Sequence, residues 1–334
     1  MTAQPVAAPA DLVTIEDIRA AARTVEGVAL RTPLLVFGPP ERRHYLKPES
    51  LQPIGAFKIR GAYVAVSSLS DEERKRGVIT YSSGNHAQGV ARAARLLGAP
   101  AVVVMPSDAP TVKRDRVAAD GAEIVVVGTA SEERKAVAER IAAERGLSII
   151  PPYDDDRIIA GQGTIGLELV DDLPDLAAVL VPIGGGGLAS GVATAVKALR
   201  PQARVIGVES ELAADAQASL RAGHIVRWAA EDVGRTIADG TRTQAIGVRP
   251  FQHFQAYLDD IVTVAEAEIA AAVRIVAEET RLVVEPSGAL SVAALRFRAR
   301  EAGIDGVDGP VVAIVSGGNV DPERYRGFLA APIP

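Results

Sequence analysis

Residues 179–199 read VLVPIGGGGLASGVATAVKAL. The first five residues form a short apolar run, which predicts a buried strand. Four glycines follow, and after them comes an alanine-rich segment with apolar residues at helical spacing. A strand that leads through a tight turn into a helix is the repeating unit of a parallel sheet. The segment therefore predicts one strand, one turn and one helix of an α/β fold.

The same alternation continues on both sides of this segment. From Gly77 onward, short β-branched runs alternate with alanine-rich segments of helical period. Such alternation predicts an α/β fold in which parallel sheets are covered by helices on both faces. The expected strands are 78–81, 101–104, 123–127, 179–183, 205–208 and 311–315, and the expected helices are 87–97, 131–144, 188–199, 266–279 and 289–300.

The middle of the chain contains the clearest break between domains. Two prolines at 151–152 are followed closely by three aspartates at 154–156. A chain of 334 residues is long enough for about two domains. We therefore expect a small domain at residues 50–150 and a large domain formed by residues 1–49 and 151–334. A ligand would lie between them, at the carboxyl ends of the strands.

The composition argues against several classes of protein. The formal net charge is −6, and the chain has no cysteine. A negative chain without a basic stripe does not favour nucleic acid as a partner, and a chain without thiols has no disulfide or cysteine-bound metal. No window offers about 18 uninterrupted apolar residues, and residues 1–12 do not resemble a secretory signal. We therefore expect no membrane segment and a soluble, cytoplasmic protein.

Residues 51–61, LQPIGAFKIRG, place Lys58 after a turn and among apolar neighbours. Burial disfavours the ammonium form and so lowers the pKa of a lysine. An amine that acts as nucleophile or base needs that lowering, because its ordinary pKa of about 10.4 leaves it protonated at neutral pH. Lys58 is therefore a candidate for amine chemistry, and the alternative is a surface lysine whose charge stays in water.

Two turns that join predicted strands to predicted helices are candidates for anion binding. They are residues 81–89, YSSGNHAQG, and residues 181–188, VPIGGGGL. The first turn of a helix presents free N–H groups and the positive end of the helix dipole, and glycines let successive N–H groups close around an anion. The alternatives are an ordinary helix cap for the first turn and a sharp bend for the second.

Two further turns, residues 284–289 and 315–319, end apolar strands. Each turn alone is typical of a loop. Together with the lysine and the two anion-binding turns, they favour a phosphorylated cofactor that forms an imine with a lysine.

These motifs, in this order, resemble the fold-type II pyridoxal phosphate (PLP) enzymes, which have the tryptophan synthase β-like fold, and among them the threonine/serine dehydratase and serine racemase family. The resemblance spans about residues 12–330 and includes AGQGT at 160–164 and TIADG at 236–240. It implies PLP as the cofactor and Lys58 as the Schiff-base lysine and catalytic residue. The other implied cofactor-binding residues are Phe57, Asn85, Gly184, Gly185, Gly186, Gly187, Leu188, Glu285 and Ser316.

The resemblance also implies a reaction, the β-elimination of water from L-threonine or L-serine to give a 2-oxo acid and ammonia. The alternatives are a serine racemase, a dehydratase of 3-hydroxyaspartate or phenylserine, and a non-catalytic amino-acid-binding protein. Ser83 resembles the racemases and hydroxyaspartate dehydratases, and in racemases this serine is a catalytic acid/base on the face opposite the lysine. The implied substrate-binding residues are Ser82, Ser83, Gly84, Asn85, His86 and Ala87.

A metal site and a homodimer are implied as well. Glu209, Ala213 and Asp215 match the divalent-metal site of that family. Two carboxylates and a backbone carbonyl suit a hard cation such as Mg²⁺ or Ca²⁺. The alternative is the solvated acidic start of a helix.

Overall fold

The structure is a computed structural model that describes residues 11–82, 84–109, 111–128 and 131–334, without the side chains of residues 131 and 132. The strands are β1 (Leu35–Val36), β2 (His44–Pro48), β3 (Val78–Tyr81), β4 (Ala101–Pro106), β5 (Glu123–Val127), β6 (Ser148–Ile149), β7 (Ala178–Pro182), β8 (Arg204–Ser210), β9 (Asp260–Val264) and β10 (Val311–Val315). The helices are α1 (Ile15–Thr24), α2 (Ile59–Ser67), α3 (Asp71–Arg76), α4 (Asn85–Leu96), α5 (Thr111–Ala119), α6 (Ser131–Arg145), α7 (Asp156–Asp172), α8 (Gly187–Leu199), α9 (Asp215–Ala222), α10 (Ala230–Val233), α11 (Val248–Tyr257), α12 (Glu266–Thr280), α13 (Pro286–Phe297) and α14 (Pro322–Leu329).

The smaller sheet has four parallel strands in the order β5–β4–β3–β6. Successive side chains of a strand point to opposite faces. In β4, Val102 and Val104 pack against α6, whereas Val103 and Met105 pack against α4 and α5. Both faces of this sheet are therefore covered by helices.

The larger sheet has six strands in the order β1–β2–β10–β7–β8–β9, and only β1 runs antiparallel to its neighbour. Val179 and Val181 of β7 pack with residues of α7 and α8, whereas Leu180 packs with residues of α12 and α13. The predicted α/β fold with parallel sheets covered on both faces is confirmed.

The predicted elements are all present, although some boundaries differ. The last predicted helix, 289–300, is Pro286–Phe297, so the prediction was three residues too late at both ends. Pro286 explains the early start, because proline needs no N–H partner and has the right φ at the first helical position. β3 to β6 lie in the smaller sheet and the other strands in the larger one. This partition supports the division into domains at 50–150, which stays a prediction.

The carboxyl ends of three parallel strands meet at one cleft of about 480 Å³. Tyr81 ends β3, Pro182 ends β7 and Ser316 follows β10, and all three line the cleft. Among the described helices, none is both long and apolar enough to cross a membrane.

Candidate active site

Lys58 is held in the cleft by a turn that pairs with the end of β10. The N–H of Phe57 donates to the carbonyl of Ser316 at 3.1 Å, and the N–H of Gly318 donates to the carbonyl of Gly55 at 2.9 Å. Lys58 directly precedes α2, and its Nζ donates to the carbonyl of Pro152 at 2.6 Å. The surface-lysine alternative is therefore wrong.

The surroundings of Lys58 favour a neutral amine. Burial lowers the pKa of Lys58 from 10.5 to about 8. The ring of Phe57 lies beside it, with its centroid 5.1 Å from Nζ. A pKa of about 8 leaves a useful fraction of the amine neutral at neutral pH, as a nucleophile or base requires.

The start of α4 forms the opposite part of the cleft. Ser82, Gly84, Asn85 and His86 line it, and α4 begins at Asn85. The side chain of Ala87 instead packs in the core under the smaller sheet, so only its backbone could face a ligand. Ser83 lies outside the described residues.

His86 is a neutral, buried histidine. Burial lowers its pKa to about 3, and the nearby charge of Lys58 contributes to the lowering. Its Nε2 lies 3.0 Å from the carbonyl of Ile150, so a neutral ring donates there. At neutral pH His86 therefore serves as a fixed polar wall rather than as an acid.

Asn85 is fixed by two side chains from the C-terminal turns at 284–289 and 315–319. Its Nδ2 donates to Glu285 Oε1, and its Oδ1 accepts from Asn319 Nδ2 at 2.8 Å. The sequence predicted Asn85 and Glu285 as site residues but missed Asn319. Asn319 lies in the predicted C-terminal turn, and that turn was the signal that could have found it.

A buried ion cluster adjoins Asn85. Lys113 Nζ lies 3.0 Å from Asp239 Oδ2 and 3.5 Å from Glu285 Oε2. Burial opposes the charge of Lys113, but the two carboxylates outweigh it and raise its pKa. Sequence reasoning missed Lys113 and Asp239 as site residues, although Asp239 lies in the TIADG motif.

The four-glycine turn leads into the N-terminus of α8. Gly186 has a φ of +95°, and a Cβ there would lie 2.6 Å from the Cβ of Pro250. A Cβ on Gly185 would lie 2.1 Å from the ring of Tyr153. Within the described residues, the backbone N–H groups of 184–188 have no protein acceptor. The turn is therefore a cradle of free donors that suits a phosphate.

The predicted cofactor residues share one cleft. Ser316 lines it and is buried, with its Oγ 3.5 Å from the carbonyl of Ser287. The residues that line the cleft as predicted are Phe57, Lys58, Asn85, Gly184, Gly185, Gly186, Gly187, Leu188, Glu285 and Ser316.

The predicted metal residues lie apart from this cleft. Glu209 is the penultimate residue of β8 and Asp215 begins α9, and both are buried, so the alternative of a solvated helix start is wrong. Glu209 accepts hydrogen bonds from the N–H groups of Ala216 at 3.1 Å and Gln217 at 2.8 Å. Within the described residues, Asp215 Oδ2 has no hydrogen-bond partner.

The charges of these two carboxylates are poorly compensated. Burial and the charge of Asp215 raise the pKa of Glu209 well above its usual range, and burial raises the pKa of Asp215 to about 7. No three His, Cys, Asp or Glu side chains form a metal-binding group within the described parts of the chain. The donors for a cation would therefore be these two carboxylates with backbone carbonyls, Ala213 among them.

The chain is similar to curated enzymes over most of its length. L-threo-3-hydroxyaspartate ammonia-lyase of Saccharomyces cerevisiae is 44% identical over 286 residues, 86% of this chain and 86% of that protein. L-threonine ammonia-lyase of Thermotoga maritima is 42% identical over 314 residues, 93% of this chain and 76% of that protein.

The fold is also similar to that of solved structures. The processed form of threonine deaminase isoform 2 from Solanum lycopersicum superposes with a TM-score of 0.87 at 36% identity and covers 99% of both chains. The family described as pyridoxal-phosphate dependent enzyme matches residues 26–317. The chain therefore belongs to the family of pyridoxal-phosphate-dependent enzymes.

Proposed function

We propose that this enzyme eliminates water from a β-hydroxy amino acid such as L-threonine or L-serine and releases a 2-oxo acid and ammonia. The observation that carries the proposal is the amine of Lys58, which has a lowered pKa and lies in one cleft with the glycine turn and the start of α4. Relatives named as ammonia-lyases for L-threonine and L-threo-3-hydroxyaspartate support it.

The residues of the cleft fit PLP. The free N–H groups of residues 184–188 would hold its phosphate, and Lys58 would bind it covalently through Nζ. Asn85 and Ser316 would contact its ring, with Glu285 holding the amide of Asn85. When bound, PLP withdraws electrons from the substrate and so makes the proton on its α-carbon more acidic.

The protein's own groups then supply binding and proton transfer. The start of α4 directs free N–H groups and the positive end of the helix dipole into the cleft, which suits the substrate carboxylate. The neutral amine of Lys58 would accept the proton from the α-carbon. The carbonyl of Pro152 receives a hydrogen bond from that nitrogen and so fixes its direction.

Replacement of Lys58 tests this role. Lys58→Ala should abolish 2-oxo acid release from L-threonine, by about a thousandfold or more, because one amine serves as covalent anchor and as base. The far-ultraviolet circular dichroism spectrum, which reports the fold, should stay unchanged. Borohydride should no longer fix PLP to the protein. Near-normal 2-oxo acid release by the folded variant would contradict the proposal.

A substrate with a second carboxylate, such as 3-hydroxyaspartate, is the second candidate. Its support is the charge of the cleft, which is also lined by Arg134, Lys135, Arg227 and Arg242. These cations would complement an acidic side chain, and the Saccharomyces relative carries that substrate in its name. The ratio of kcat/KM for L-threo-3-hydroxyaspartate to that for L-threonine decides between the two.

We also propose a Mg²⁺ or Ca²⁺ ion at Glu209, Asp215 and the carbonyl of Ala213. Two observations support it: within the described residues Asp215 Oδ2 is buried without a hydrogen-bond partner, and the pKa values of both carboxylates are raised. A cation would offset the repulsion between the two carboxylates. A homodimer and a cytoplasmic location, which the sequence favours, remain proposals as well.

A further inference from the structure

Four charged side chains form a cluster that lies outside the cleft and is almost completely removed from water. Lys47 lies in β2, Glu49 directly follows that strand, Arg60 lies in the first turn of α2 and Glu168 lies in α7. The side chains of Lys47, Glu49 and Arg60 are 0%, 0% and 1% exposed. We refer to these four residues as the buried charge cluster.

Arg60 is the centre of the buried charge cluster. Its Nε and Nη2 donate to the two carboxylate oxygens of Glu49 at 2.8 and 2.9 Å. Its Nη1 and Nη2 donate to those of Glu168 at 2.6 and 3.1 Å. Nη1 also donates to Thr164 Oγ1 at 3.0 Å, and Nη2 to the carbonyl of Leu30 at 2.9 Å. Both carboxylates are thus held in the paired geometry that a guanidinium makes and an ammonium cannot.

The two carboxylates belong to segments that also contact residues 57–58. Glu49 follows β2, which pairs with β10, and the next residue after β10, Ser316, accepts the N–H of Phe57. Glu168 belongs to α7, which starts four residues after Pro152, the acceptor of the Lys58 amine. Arg60 itself lies two residues after Lys58. The guanidinium therefore joins the helix that carries the lysine to both structures that orient it.

Stability alone does not explain such a cluster. The cost of removing four charges from water largely offsets their attraction, and apolar replacements of buried ion pairs are often as stable. Directional contacts, in contrast, fix geometry, and a displacement of about 1 Å in a reacting group can cost roughly a hundredfold in rate.

We propose that Arg60 is a positioning residue that, through Glu49 and Glu168, fixes the amine of Lys58 in its place at the cleft. The inference rests on the proposed role of Lys58 in the reaction. It assigns no contact between Arg60 and substrate or cofactor.

Arg60→Lys keeps the charge and removes the paired geometry. We expect kcat to fall by about tenfold to a hundredfold, with KM for L-threonine within about threefold, because the substrate contacts are untouched. Arg298→Lys is the control, since Arg298 makes the same paired contact with one carboxylate, Glu268, on a partly exposed side chain that does not line the cleft. If Arg60→Lys, like Arg298→Lys, loses stability but keeps the wild-type kcat, the proposal is overturned.

A second readout does not depend on turnover. In the full chain freed of cofactor, the pH midpoint for acylation of Lys58, followed by mass spectrometry of its peptide, should lie near 8, because burial lowers the pKa of this amine. In Arg60→Lys a displaced amine gains water, so the midpoint should move upward towards 10.5. An unchanged midpoint would overturn the proposal. Wild-type protein without any 2-oxo acid release would contradict the proposed function but not this measurement.

Thr164→Val is a milder variant for the case that Arg60→Lys does not fold. It removes one acceptor of the guanidinium and leaves every charge in place. We expect a smaller fall in kcat, of less than about tenfold, and a smaller upward move of the midpoint. Wild-type kcat and midpoint in this variant, with Arg60→Lys unfolded, would overturn the positioning role.

Discussion

Lys58 carries a flexible amine at a partly buried position in the cleft. Its pKa is lowered from 10.5 to about 8 by burial. Below pH 8 the lysine is protonated in both the folded and unfolded states, so the folded state carries the cost of a buried ammonium. Between about 8 and 10.5 the folded state has released its proton and the unfolded state has not. This cost therefore disappears as the pH rises through that range.

Lys58→Met should accordingly stabilise the cofactor-free protein near pH 7, by about 3 kcal/mol at most. The gain should shrink steadily from pH 8 to 10.5. Urea unfolding of both proteins across this range measures the difference. A difference in the free energy of unfolding that does not change with pH would show that Lys58 is not desolvated.

Ser83 is where racemisation and elimination would separate. Racemisation needs a proton donor on each face of the substrate carbanion, whereas elimination from an L-substrate needs only Lys58. Ser83→Ala should leave L-threonine dehydration within about tenfold and remove D-serine elimination and any racemisation. Parallel assays of the variant with L- and D-serine measure the two activities. Equal losses of activity with both enantiomers would show that Ser83 has only a structural role, as a helix cap.

At this scale the sequence predicted single residues better than their partners. Lys58, Asn85 and the glycines lie in short motifs that were recognisable by themselves. The contacts of Asn85 with Glu285 and of Lys113 with Asp239 join residues 200 and 126 positions apart. Such pairs depend on how two sheets are placed, which no local pattern contains.

Among the elements, the turn between β7 and α8 permits the sharpest test. Gly186→Ala forces a Cβ into a positive φ and against Pro250. We expect PLP affinity to fall by at least about tenfold, as measured by equilibrium dialysis and visible absorption. Gly223→Ala is the control, because Gly223 has a φ of +73° in open space at the end of α9. Equal PLP affinity in both variants would contradict the role of the turn.

A metal ion bound at the start of α9 should raise the melting temperature of the protein. A ligand that binds only the folded state stabilises it, by roughly 2.7 kcal/mol at a hundred times its Kd. EDTA should therefore lower Tm, and Mg²⁺ or Ca²⁺ should restore it. Glu209→Gln should abolish this response, whereas Glu301→Gln, on an exposed side chain, should keep it. An unchanged Tm in EDTA together with a silent Glu209→Gln would exclude the ion.

Strands were predictable from the sequence where their burial produces a recognisable apolar pattern. β7, β8 and β10 lie at the centre of the larger sheet, so their apolar runs stood out. β1 and β6 have only two residues each, too few for any period to appear. β9 begins with an exposed aspartate at the sheet edge and was missed as well.

In the whole molecule, the two sheets bring the ends of β3, β7 and β10 to one cleft. The α/β class followed from the alternation of strand and helix, and the shared cleft followed from the rule that parallel strands end at the same edge. The buried charge cluster could not be predicted in this way. Its members lie in β2, directly after β2, in α2 and in α7, and each belongs to a residue type that is usually found at the surface.

The central claim is that this PLP-binding cleft performs β-elimination with Lys58. The most direct test is a panel of amino acids incubated with the purified, PLP-loaded protein and scored for 2-oxo acid and ammonia. We predict equimolar release of both from L-threonine, L-serine or L-threo-3-hydroxyaspartate, and none from L-alanine, which has no β-hydroxyl to lose. No 2-oxo acid from any β-hydroxy amino acid would contradict the account.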